Sequence, residues 1–302
     1  MQLKINAILN FKICFLTATL GVTLYSCKLK DLRSSQLKEN GLQESHIESG
    51  KKLLHEVVEL QNLEKLEDSP NYRLLVRDHW NKQYGLNINP WPGKNNVLME
   101  LKYAFGTFDG KVEWLKSEMK NSGYGIQSWQ LYKYEAEEKP KKTEDKDLEF
   151  IIPTMQYFME LPYRLNKAPI ITHMGSTSSG KIEYDRVFVT WENPEPNKND
   201  QYILYINKET GLIDRTTYTI RDNFMWTPKS FYGTVLYSNY REVNGILFPF
   251  QIDVYPFDKI EKKEVHTFKV ESIHIADYNS KELYPFPELP KIGDSKNRTD
   301  NN

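Results

Sequence analysis

Cysteine is almost absent. The chain has two in 302 residues, Cys14 and Cys27, both within the first 27 positions. Removal of a leader ahead of Cys27 would leave one thiol, so no intrachain disulfide is expected. An excess of positive charge is missing too. Lys and Arg number 40 against 41 Asp and Glu, for a net charge of −1, which removes the counterion-release driving force for a nucleic-acid partner. There is no Gly-x-Ser-x-Gly elbow and no Walker loop. The run Gly175-Ser176-Thr177-Ser178-Ser179-Gly180 lacks a phosphate-binding Lys and reads as a flexible connection. The six His are scattered without a zinc-type helix spacing. His266 and His274 share a strand parity but stand eight residues apart, and read as exposed or partnered strand residues. No metal and no cofactor are expected.

Long apolar runs are also scarce. The one at the start, Ile13–Leu24, is too short for a comfortable membrane span. It follows Lys4 and Lys12 and ends at Leu24-Tyr25-Ser26-Cys27. This is similar to a bacterial lipobox, with Tyr25 off the usual small-residue pattern; the alternative is an ordinary signal peptide beside a chance Cys. Residues 1–26 are therefore expected to be a lipoprotein signal peptide, and Cys27 a lipid-attachment site anchoring the chain to a membrane. Lys28 after the Cys favours the outer membrane, by the sorting rule that the lipoprotein resemblance implies. Residues 27–45 are expected to be a polar tether.

What the chain does have is aromatic, alternating sequence: 13% Phe, Trp and Tyr, with 19 Tyr. Ile246, Phe248, Phe250, Ile252 and Val254 fall on one face, while Leu247, Gln251, Asp253 and Tyr255 fall on the other. Asn244-Gly245 just before them predicts a type I′ hairpin turn from the strand over 234–243. A second hairpin is expected over 202–206 and 212–220, and further strands over 72–80, 97–105, 126–134, 182–191 and 265–276. Asp109-Gly110 marks a turn. Helices are expected over 47–66 and 148–161, the latter with Pro153 in its first turn. The charged run 135–147 reads as a solvated insertion within one continuous sheet. This gives one domain over 46–278 and a tail, 279–302, Pro-rich and then disordered.

Chemistry is harder to find. Asp109, Glu113, Asp185, Asp214 and Asp253 lie on or near strands but cannot be paired as acid and base from sequence, so no catalytic residue is assigned. The strand aromatics have two readings: a packed core, or the wall of an apolar cavity. Trp191, Phe188, Tyr205, Phe248 and Phe250 are the cavity candidates.

Two segments carry a family resemblance. Residues 201–213 (QYILYINKETGLI) and 240–250 (YREVNGILFPF), after an N-terminal helix, resemble the LolA/LolB-like periplasmic lipoprotein-carrier superfamily. The resemblance implies an α+β, mainly β fold: a strongly curved antiparallel sheet forming an unclosed half-barrel, with helices on its concave side. It further implies an interior that accepts acyl chains. Greater length, the charged insertion and the expected anchor set this chain apart from freely shuttling carriers. The resulting expectation is a non-enzymatic, lipid-anchored envelope protein that binds a lipid or other hydrophobic ligand. The alternatives are an envelope carbohydrate or lipid hydrolase, and a solid-core interaction subunit with an envelope protein partner.

Overall fold

The computed structural model describes residues 29–289 apart from 83–88, 93–94, 117–118, 137, 197, 222–227, 259, 261 and 277. Cys27, the signal segment and Asp294–Asn302 lie outside the described residues.

A short helix α1 (Ser35–Asn40) and a long helix α2 (Glu44–Gln61) precede six strands, β1 (Asn71–Trp80), β2 (Leu98–Ala104), β3 (Gly110–Trp114), β4 (Gly123–Gln127), β5 (Gln130–Tyr134) and β6 (Lys141–Lys142). Helices α3 (Lys146–Met159) and α4 (Leu161–Leu165) follow. The chain ends in β7 (Ile170–Ser179), β8 (Ile182–Thr190), β9 (Tyr202–Asn207), β10 (Ile213–Thr219), β11 (Tyr232–Val243), β12 (Ile246–Pro256) and β13 (His266–Ile275). All pair antiparallel in one sheet of order β6-β5-β4-β3-β2-β1-β13-β12-β11-β10-β9-β8-β7. The two blocks join through the β1–β13 pair, so the sheet is continuous and unclosed.

Curvature follows from contacts. Helix α3 packs on β3 and β4, while its Tyr157 and Phe158 reach the rings of Tyr202 on β9 and Tyr218 on β10. Strands β4 and β9 are eight spacings apart in the sheet. Laid flat, that is roughly 38 Å, well beyond the roughly 21 Å length of this 14-residue helix. The sheet therefore curls around α3. Bulges at Leu75/Val76, Ile213/Arg215 and His173/Ser176 add local bend and twist. The result is the half-barrel with helices on its concave side.

The predicted turn chemistry holds at Asn244-Gly245, where φ is 53° and 77° as a type I′ turn requires, and the five apolar residues from Ile246 to Val254 are all buried. Elsewhere the structure corrects the sequence reading. Residues 126–134 are not one strand: Ser128 and Trp129, at φ 51° and 63°, make a two-residue turn between β4 and β5. The stretch 175–180 is not a loose connection, because Ser176–Ser179 pair with β8 as the outer part of β7. Pro153 sits well inside α3 rather than in its first turn, with Asp145 as N-cap. Its missing N–H and the Thr154 hydroxyl bonded back to Phe150 both weaken the helix ladder there. Residues 29–41 are not a free tether. Leu32 and Leu37 are buried against Ile170, Phe188 and Ile203 on the convex face, and the Leu32 amide donates to Gln201 Oε1 at 2.8 Å. The start of the tail also packs: Leu283 is buried, and Gln127 brackets the Phe286 backbone from both sides.

Edge strand β7 is covered along its inner part by α2. A Cβ on Gly50 would lie 2.6 Å from the His173 nitrogen, so only glycine lets the helix settle on the strand backbone and shield it.

Candidate functional site

The concave layer between the helices and the sheet is the place where this fold could hold a ligand, and its two sides differ. Toward the first block, α3 and α4 are held by polar contacts. Glu160 is fully buried. Its Oε1 accepts from the Tyr72 hydroxyl at 2.7 Å and from Gln156 Nε2 at 2.9 Å. Its Oε2 accepts from the Gly106 amide at 3.1 Å and from Arg164 Nε at 3.0 Å. Arg164, with 8% of its side chain exposed, also donates to the Thr107 carbonyl and lies over the Phe108 ring. Gln156 spends its second amide hydrogen on the Ala104 carbonyl, and the Tyr103 hydroxyl donates to Ile152 at 3.0 Å. Burial, reinforced by the Glu160 carboxylate, pushes the Tyr72 and Tyr103 hydroxyls well above the ordinary phenol range, so both remain donors.

Toward the second block, α3 and α4 contribute rings and aliphatic groups, and Gln61 at the end of α2 donates to the Tyr240 hydroxyl. Phe158 stands edge-on to Tyr218. A seam lined by Gln61, Phe158, Met159, Leu161, Pro162, Ile213, Tyr237, Tyr240 and Pro249 lies between them. Its volume is about 10 Å³, room for one water molecule. The seam is closed in this structure.

The five sequence candidates do not share one surface. Phe248 and Phe250 are buried in the main core, Phe248 stacked on Tyr72, and Trp191 packs at the core margin edge-on to Tyr202. Phe188 and Tyr205 belong to the opposite, convex face, Phe188 under Leu32 and Leu37 and Tyr205 beside it. Strand parity explains this, since Phe188 alternates with the inward Val187 and Val189.

The acidic candidates are each partnered locally: Asp109 by the Ser128 amide, Asp185 by Ser176 and His173, Asp214 by Asn207, Asp253 by Gln251 and Thr267, and Glu113 by Tyr134. His266 is a partnered strand histidine. Its Nδ1 is 2.7 Å from Asp78 Oδ1, and the other Asp78 oxygen accepts from the Trp80 and Trp91 indoles. Among the described residues, no three His, Cys, Asp or Glu side chains converge as a metal site.

Sequence reasoning missed the Glu160 group. The signal available was the i, i+4 spacing of Gln156, Glu160 and Arg164, which falls where the predicted helix ends.

No protein-family model matches the sequence, and no curated protein does either. Among solved structures, the chain is similar to a DUF1329 family protein from Desulfovibrio piger, with 10% identity, 81% of this chain and 99% of that chain covered, and a TM-score of 0.48. It is also similar to a LolA superfamily protein from Nitrosomonas europaea, with 10% identity, 78% and 96% coverage, and a TM-score of 0.48. The half-barrel itself is defined by this chain's own strand order and register.

Proposed function

We propose that this chain is a lipid-anchored protein of the cell envelope that binds one acyl chain, or a ligand of similar apolar character, in the seam between α3–α4 and β10–β12. The observation that carries the reading is the asymmetric attachment of α3–α4. Directional hydrogen bonds hold α3–α4 to β1, β2 and the 105–109 loop, while toward β9 and β10 Tyr157 and Phe158 make ring contacts and the polar ties to β11 and its turn come from Gln61, Asn62 and Lys65 at and just after the end of α2. Such a layer opens most readily on its apolar side, pivoting on the Glu160 side. Each methylene buried there stabilises the complex by about 0.8 kcal/mol, so about fourteen of them offer roughly 11 kcal/mol against the cost of parting the two layers. The resemblance to lipoprotein carriers points the same way.

The test is native mass spectrometry of the purified protein before and after exposure to palmitate. Binding of one palmitate, abolished by Phe158→Asp in a variant that keeps its far-ultraviolet dichroism, supports the proposal. Failure of the wild-type protein to bind palmitate or to co-purify with any lipid counts against it. The closed seam favours a second reading, a solid-core subunit that binds an envelope protein, and crosslinking in cells would test that alternative.

A further inference from the structure

The docking of residues 29–41 on the convex face removes the slack from the expected anchor. Leu29, where the described chain begins, is only two residues beyond Cys27. Two extended residues span about 7 Å at most. The chain at this point is fixed in place: the Lys30 amide donates to the Lys229 carbonyl at 3.0 Å, and Arg221 donates to the Lys30 carbonyl. If Cys27 carries acyl chains, the bilayer holding them must therefore lie against this end of the molecule.

The surface there suits that position. Leu29, Phe231, Tyr232 and Phe257 are all partly exposed. Phe257 lies 5.5 Å from Phe231 and 5.3 Å from Tyr232, ring to ring. The Lys30 ammonium sits 3.9 Å over the Tyr232 ring, and Lys229 is exposed beside it. Aromatic rings with flanking Lys are the side chains that settle at the headgroup level of a bilayer.

We infer that the Leu29–Lys30, Lys229–Tyr232 and Phe257 patch is a membrane-contact surface, seated on the phospholipid headgroups of the bilayer that holds the Cys27 anchor. The inference rests on lipidation of Cys27. It sets the orientation of the whole domain: the end of β11 at Tyr232 faces the membrane, and the Asn244-Gly245 turn points away.

The test uses the full protein, expressed with its leader, purified from membranes and reconstituted into phosphatidylethanolamine–phosphatidylglycerol vesicles. An environment-sensitive dye is attached at Pro228→Cys, next to the patch, or at Glu242→Cys. Both positions are exposed, and Glu242 lies along β11 about 33 Å from Tyr232. A headgroup-attached quencher should quench the dye at 228 at least about twofold more than at 242 if the patch sits at the interface. Equal, weak quenching at both positions on protein that pellets with vesicles would overturn the inference and leave the anchor standing. An intact mass without diacylglycerol on Cys27 would overturn the anchor and the inference together. The palmitate-binding reading depends on neither result.

Discussion

Replacing Glu160 with Gln should loosen the helical layer without unfolding the sheet. Glu160 is fully buried and receives hydrogen bonds from Tyr72, Gln156, Gly106 and Arg164. Breaking a buried ion pair costs about 3–5 kcal/mol when one charge stays behind. Gln keeps the volume and one acceptor oxygen, so the lower end, about 3 kcal/mol, applies. If α3–α4 opens as a unit of its own, that loss falls on its opening equilibrium. Backbone amide exchange in 146–165 should then quicken about a hundredfold, since about 1.4 kcal/mol is a factor of ten. Amides in β8 and β9 should hold their rates. Tyr103→Phe, which removes the single hydrogen bond to Ile152, should cost only about 1 kcal/mol and raise exchange in the same helices about fivefold. Hydrogen–deuterium exchange with mass spectrometry reads both variants. Equal acceleration in α3–α4 and in β8–β9 would refute the reasoning, because the helices would then open only when the whole domain does.

Three further predictions concern other parts of the molecule. Phe188→Ala removes a fully buried ring from beneath Leu32 and Leu37 and should cost about 3–5 kcal/mol; limited proteolysis should then cut within 29–41, and an unchanged cleavage pattern would show that this segment is held some other way. Asp78→Ala deprives the Trp80 and Trp91 indoles and His266 of their acceptor, at about 1–3 kcal/mol for each group stranded; urea unfolding should show a loss of at least about 3 kcal/mol, and a loss below about 1 kcal/mol would contradict the assignment. Burial raises the Asp185 pKa, but hydrogen bonds from Ser176 and His173 and the charge of Lys208 outweigh it, leaving the folded value below that of an ordinary Asp. Its stabilisation is therefore complete above about pH 4 and lost as pH falls through the lower folded value; Asp185→Asn should flatten the acid limb of the stability curve, and an identical acid slope would count against this.

The parts of the fold legible in sequence were those written in local chemistry. The Asn244-Gly245 turn and the strict alternation from Ile246 to Val254 fix both register and buried face, and the Asn207–Gly211 loop marks the β9–β10 hairpin, whose register the bulge at Ile213/Arg215 then shifts. Strand β7 was hidden because its outer half is Gly, Ser and Thr, of which Ser176–Ser179 pair through the backbone and bury little. The turn at Ser128-Trp129 was hidden because it lacks Gly, although both residues adopt positive φ. The docking of Leu32 and Leu37 was illegible because two Leu in a polar stretch say nothing about a distant convex patch. At the candidate site the inward parity of Phe248 and Phe250 was readable, whereas the partition of Phe188 and Tyr205 to the other face required knowing which side the helices cover. The buried Glu160 group depends on three segments far apart in sequence, β1, the 105–109 loop and the α3–α4 junction, so no single window contains it.

The central claim is that an apolar ligand enters between α3–α4 and β10–β12. The most direct measurement is photolabelling of the purified protein with a diazirine analogue of palmitate, followed by peptide mapping, for the wild type and for Glu160→Gln. The account predicts one label per chain, on peptides carrying Phe158–Pro162, Ile213 or Tyr237, with faster incorporation in the variant. Label absent from both proteins, or confined to the convex face around Phe188 and Tyr205, would contradict it.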